Sequence, residues 1–338
     1  MDVRHPTDTA ATAPVRLRQG EHKGWDAWWI ERGPLALALV PQVGGRVMSM
    51  QWRGHDIAFT MAGLEGQVAD LAADVDVRAR KRMLGWLLWG GEKTWLAPQP
   101  GWTDDLPFLD LDSGGYTHEI LVNDETCASV RMTSPTCRET GIEISRTVTV
   151  SADSATWTVS HRITNRSDEP ATWAVWDVSM LTRPGRVYLP VSGGSEYPGG
   201  LKTFDDVGAS VARCPAVVES DIGVVAVDCS KPGSFKYGVD ADEGWSLGVF
   251  RTEGGLVGHV KQVPVFPGPT YGHGCISDVY NAGDLPYLEM EMHGPIVVLA
   301  PDETFELAER ATLFDVTEPP TGEADVRVIV APIVDAAE

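Results

Sequence analysis

The chain has no cysteine pattern that could build a site. Its five cysteines, Cys127, Cys137, Cys214, Cys229 and Cys275, are odd in number and widely spaced, with no C-x-x-C among them. That excludes a zinc-knuckle spacing and a disulfide framework, and leaves buried free thiols. Positive charge is also scarce: 27 Lys and Arg stand against 48 Asp and Glu, a formal net charge of −21. Such a surface repels phosphate backbones, so nucleic acid is not an expected partner, and a polyanionic substrate is disfavoured. No apolar run is long enough to span a bilayer, so no membrane partner is expected. The first twenty residues carry Arg4, Arg16 and Arg18 but no apolar signal-peptide stretch, and the expected location is the cytoplasm. No G-x-G-x-x-G, Walker A, G-x-S-x-G or H-E-x-x-H occurs, so dinucleotide, P-loop, hydrolase-elbow and zincin readings have no support. Asp110-x-Asp112-x-Gly114 and Asp240-x-Asp242-x-Gly244 open like calcium loops but lack the closing glutamate, and read as turns. Neither a metal nor a cofactor is expected.

What the chain does have is turn chemistry: 35 glycines and 23 prolines. Short alternating segments recur between turn clusters, at 25–31, 35–40, 47–52, 142–150, 156–164, 173–180, 246–251, 257–262, 287–293 and 305–314, with another strand expected at 326–330. Turn signals about every 8–12 residues are the rhythm of a sandwich or barrel. The expected fold is all-β, a large antiparallel β-sandwich: a flexible tail over 1–20, then one domain over 21–338. Residues 63–83 carry Leu64, Val68, Leu71 and Val75 near helical spacing, a possible helical excursion. Residues 84–102 hold four tryptophans and match neither period, so they read as an aromatic-lined loop.

Three groupings could carry chemistry. In Tyr287-Leu288-Glu289-Met290-Glu291-Met292-His293, alternation sets Glu289, Glu291 and His293 on one strand face and the apolar residues on the other. Two carboxylates and an imidazole on one face suit acid/base work; the plain alternative is a solvated strand face. In Gly90-Gly91-Glu92-Lys93-Thr94-Trp95, the glycines permit close backbone approach and opposite charges stand beside tryptophans, the materials of a sugar site or simply a plug. In Trp173-Ala174-Val175-Trp176-Asp177, Trp176 faces away from Trp173 and Asp177. Lys236, Lys261, His273 and Tyr280 are scattered, and inward lysines would need partners.

These segments, in order, resemble the galactose-mutarotase-like superfamily, within it a little-characterised group related to aldose 1-epimerases. The resemblance rests on PQVGGRVMSMQWRGHDI, WGGEKTWLAPQPGW, NRSDEPATWAVWDVSML, GGLVGHVKQV and ISDVYNAGDLPYLEMEMHGPIVVLAPDETFEL. It implies a supersandwich that binds a monosaccharide or a glycan end. It also implies a late-strand glutamate that takes the anomeric proton, here Glu289, or Glu291 with the register moved by one pair. The family's central-strand histidine has no counterpart in 173–177, and Glu92 and Lys93 stand where an early-loop histidine is expected. The acid is therefore open among Lys93, Lys261 and His273. Glu92, Lys93, Trp95, Trp176, Asp177, Lys261, His273 and His293 are the expected substrate-binding residues. The functional expectation is aldose 1-epimerase-like or related acid/base chemistry on a sugar. Its rivals are a non-catalytic carbohydrate-binding or sensing protein on the same scaffold, and lyase-type proton abstraction.

Overall fold

A computed structural model describes residues 12–204, 217–221, 223–230 and 233–335; Cys214 lies outside them. The chain folds into two large sheets, and every strand pair among the described residues is antiparallel. The first sheet has 12 strands. Its middle runs Arg46–Trp52, Glu92–Ala97, Ala171–Thr182, Tyr287–His293, Ser277–Ala282 and Ser234–Val239. The second has 10 strands, centred on Trp245–Thr252, Gly255–Gln262, Thr304–Val316, Thr156–Asn165 and Ile142–Ser151. One apolar core fills the space between them, with Leu288, Met290 and Met292 from the first sheet meeting Ile144, Val148, Trp157, Leu307 and Leu313 from the second. The large antiparallel sandwich read from the turn rhythm is the observed fold.

Four segments differ from the sequence reading. Residues 15–20 are not tail: Val15–His22 pairs along its full length with Trp25–Arg32. Its outward Arg18 bonds Glu31 at 2.8 Å, the charged dressing expected of an edge strand. In the excursion, only Val77–Leu84 (α1) is helical, started by Asp76, whose carboxylate accepts from the Arg78 and Ala79 amides. Lys81 within its basic run is not solvated; it is buried against Glu139 at 2.9 Å. Residues 92–97, read as loop, are a central strand buried on both faces, which is why alternation did not show. Residues 326–330, read as strand, belong to a helix, Glu323–Val334. Its buried Val326, Ile329, Val330 and Ile333 follow helical spacing and pack on Trp245 and Leu247.

Candidate functional site

The site is built by pleat alternation across five neighbouring strands. One row of register partners runs Lys93, Val178, Glu291, Asp278 and Gly238; the next runs Trp95, Trp176 and His293; a third runs Met180, Glu289, Tyr280 and Lys236. Because directly opposed residues share a face, these side chains project from the first sheet away from the second. Leu288, Met290 and Met292 take the other face and enter the core. The alternation inferred for 287–293 is therefore the observed one.

On this outer face Lys93 Nζ lies 3.3 Å from Glu289 Oε1 and 4.1 Å from the centre of the Trp95 ring. Burial pushes the Glu289 carboxyl above its ordinary range despite Lys93. Burial pushes the Lys93 ammonium below its own, against the pull of Glu289. Both shifts favour the uncharged forms, so the proton affinities of the two groups approach each other. Glu289 retains 8% exposure where Glu291 has none, which makes Glu289 the carboxylate within reach of a ligand.

Beside this pair stands a tighter group. Lys236 Nζ is 2.6 Å from Glu291 Oε2 and 3.3 Å from Asp278 Oδ2. Asp278 Oδ2 also meets His273 Nδ1 and His293 Nε2, each at 3.0 Å. Trp176 donates its indole N–H to Glu291 at 2.7 Å. Burial opposes the Lys236 charge, but Glu291 and Asp278 outweigh it and hold the ammonium above its usual range. Burial likewise opposes ionisation of Asp278, yet Lys236 and His293 keep its carboxyl well below the usual range. Burial lowers His273 to about 4, so at neutral pH it is an uncharged imidazole that donates Nδ1–H to Asp278.

Indoles close one side. Trp95, Trp102 and Trp176 are mutually in contact with centroids 5.1–5.5 Å apart. Trp95 is fixed by an N–H bond of 2.8 Å to Asp112, which also takes Arg46 at 2.5 Å. Trp102 bonds the Leu96 carbonyl. The backbone of Gly90 and Gly91 brings the strand in: a Cβ at Gly90 would sit 2.0 Å from the Phe59 carbonyl oxygen, and φ there is +102°.

The structure thus gathers Glu289, Glu291, Lys93, Trp95, Trp176, His273 and His293 on one face. It sets three expected site residues apart. Glu92, Asp177 and Lys261 lie on the opposite face, sealed between the sheets. The physical reason is the two-residue period: Glu92 and Asp177 are immediate neighbours of Lys93 and Trp176, so they must point the other way. Lys261 comes from the second sheet and points inward to pair with Asp177, with Ser179 at 2.7 Å and Glu309 at 3.3 Å. Arg146 pairs with Glu92, and His161 bonds Thr94 at 2.8 Å. Burial, reinforced by Asp177, raises the Glu309 carboxyl well above its usual range, and burial raises Glu92 as well, while for Asp177 burial is outweighed by Lys261, which keeps that carboxyl below its own.

Asp278 was missed by the sequence reading, which left Lys236 among scattered residues with no partner named. Alternation within Ser277-Asp278-Val279-Tyr280 could have placed Asp278 on the same face as Tyr280, but nothing local reveals that the neighbouring strand Ser234–Val239, some forty residues earlier, supplies the lysine. Two sets of metal-type donors converge, His273, Asp278, Glu291 and His293 in the first and Glu92, His161, Asp177 and Glu309 in the second. In each a lysine ammonium already meets the carboxylates, Lys236 in one and Lys261 in the other.

This two-sheet architecture has the galactose-mutarotase-like β-sandwich fold. A Klebsiella pneumoniae protein provisionally named an aldose 1-epimerase superposes with a TM-score of 0.58 at 11% identity, covering 94% of this chain and 87% of its own. A galactose mutarotase-like protein from Clostridium acetobutylicum gives 0.54 at 11% identity, covering 90% and 99%. A TPR-domain-containing protein from Parabacteroides distasonis gives 0.53 at 11% identity over 88% of this chain, which spans only 50% of that longer protein. No family model and no curated protein matches the sequence.

Proposed function

We propose that the protein interconverts the anomers of an aldose on the outer face of the first sheet, with Glu289 as base and Lys93 as acid. The observation that carries this reading is the Lys93–Glu289 contact, 3.3 Å long, beside the Trp95 ring. Ring opening needs a proton removed from the anomeric hydroxyl and one delivered to the ring oxygen, and both oxygens are bonded to one carbon. An acid and a base must therefore stand side by side, as these two do. Glu289 takes the hydroxyl proton, the bond from the anomeric carbon to the ring oxygen breaks, and Lys93 protonates that oxygen. The open aldehyde turns about its bond to the next carbon. Closure on the other face then returns one proton to Lys93 and takes the other from Glu289. The convergent proton affinities make either direction accessible. Of the three acids left open by the sequence, Lys261 is in the interior and His273 is uncharged at neutral pH, while Lys93 touches the base. Trp95, beside the pair, is the indole nearest the sugar's C–H surface, with Trp176 buried behind it, and Lys236 and His273 offer polar partners for hydroxyls.

The test is exchange NMR of free aldoses. Accelerated α/β interconversion that is lost in Glu289→Gln and Lys93→Met supports the reading. Saturable sugar binding with no acceleration in the wild type would sink it and leave the non-catalytic binding protein. That second reading draws on the closed hydrogen bonding of Lys236, Glu291, Asp278, His273 and His293, which suits fixed recognition as well as it suits chemistry.

A further inference from the structure

Trp86 is an outlier in its own cluster. Its centroid lies 5.9 Å from Trp95 and 6.1 Å from Trp102, yet it is 44% exposed while those two are 6% and 5% exposed. It follows Gly85, the residue that ends α1, so the helix terminus holds it at the edge of the site. A large indole left open on a strongly charged protein exposes apolar surface that packing with its neighbours could have removed. A continuous path of contacts leads inward from it: Trp86 to Trp95, Trp95 to Lys93, and Lys93 to Glu289. Arg82, in the last turn of α1, bonds Asp104 at 3.1 Å, and both side chains are substantially open to solvent.

We infer that Trp86 is the stacking platform for a second sugar ring, so that the preferred ligand is the reducing end of an oligosaccharide rather than a free monosaccharide. The inference rests on the proposed function and adds a substrate class to it. The ring at Glu289 must carry a free anomeric hydroxyl, so it is the reducing end, and the added ring is linked through one of its other hydroxyls. An indole face offers the flat apolar surface that the C–H face of a pyranose requires. Arg82, four residues before Trp86, and Asp104, two after Trp102, put a donor and an acceptor on the chain flanking these indoles. One exposed indole next to buried ones matches one additional ring.

The experiment is calorimetric titration of the full chain with glucose and galactose and with the reducing disaccharides maltose, cellobiose, lactose and isomaltose. At least one disaccharide is expected to bind about tenfold more tightly than its reducing-end monosaccharide. In Trp86→Ala that ratio is expected to collapse to about one, and in Trp86→Tyr part of it is expected to return. A wild-type ratio near one for all four disaccharides overturns the inference, as does a ratio that survives Trp86→Ala. So does a wild-type dimer that Trp86→Ala dissociates in sedimentation, because the indole would then cover a second copy. The two readings separate cleanly. A Trp86-dependent disaccharide gain without anomer exchange would remove the catalytic reading and keep the platform. Exchange without the gain would do the reverse.

Discussion

Lys93 and Glu289 lie 196 residues apart in sequence and 3.3 Å apart in space, on strands separated by one other strand. Each is pushed by burial toward its neutral form. Replacing Glu289 by Gln keeps shape and removes the base, so anomer exchange is expected to fall by about 10²-fold or more. Lys93→Met is expected to lower the rate similarly, while sugar binding persists in titration. A rate that is unchanged in either variant would exclude that residue from proton transfer.

His273 supplies a pH prediction. Its folded value is about 4, below the ordinary 6.5, with burial as the leading cause. In that interval the unfolded chain binds a proton that the folded chain refuses, so this residue makes stability fall as pH drops from 6.5 toward 4. The urea midpoint of the wild type relative to His273→Gln is therefore expected to decline across that window. Nitrogen-15 NMR should show a neutral His273 with its proton on Nδ1 at pH 6 to 8. An imidazolium at pH 7 would contradict the assignment.

Glu309 and Lys261 share the interior but are expected to respond in opposite ways. Burial favours the protonated form of Glu309 in the folded state, so Glu309→Gln is expected to be more stable than the wild type near neutrality, where the unfolded wild type gains by ionising this carboxyl. Its raised folded value contributes stability that is present at low pH and lost as pH rises from the unfolded value toward the folded one. The Gln variant should accordingly gain on the wild type as pH rises above the unfolded carboxyl's ordinary 4.5. Lys261→Met leaves the Asp177 carboxylate buried without its cation and is expected to cost about 3–5 kcal/mol. Denaturant midpoints of the two variants at several pH values decide this.

Gly90→Ala is expected to damage the site from its backbone. The new methyl would meet the Phe59 carbonyl at 2.0 Å in a conformation with positive φ. A loss of about 2 kcal/mol or more, together with weaker sugar binding, is the expected result. Full stability in a thermal melt would show that the strand entry relaxes freely.

The antiparallel sandwich could be read from turn spacing because each hairpin writes its signal locally. The face shared by Glu289, Glu291 and His293 could be read because alternation is also local. The helix at Glu323–Val334 was obscured because Val326, Val328 and Val330 fit a two-residue period as well as part of a helical one; only Ile329 and Ile333 separate the two. Glu92 was grouped with the site because its segment read as a loop with opposite charges beside tryptophans, Asp177 because it stands next to Trp176, and Lys261 because it was one of the acids left open. Glu92 meets Arg146 and Asp177 meets Lys261 from the other sheet, and no short-range pattern announces a pairing across a core.

The strand Glu92–Ala97 serves two compartments at once, with Lys93 and Trp95 outside and Glu92 and Thr94 inside. That arrangement makes the segment tolerant of some substitutions but intolerant of any change in length. Adding or removing a single residue there would present Glu92 and Thr94 to the ligand and drive a lysine and a tryptophan into a sealed seam that has no place for them. Over evolutionary time, insertions and deletions in this part of the gene should therefore be confined to the residues before Gly90 and after Pro98.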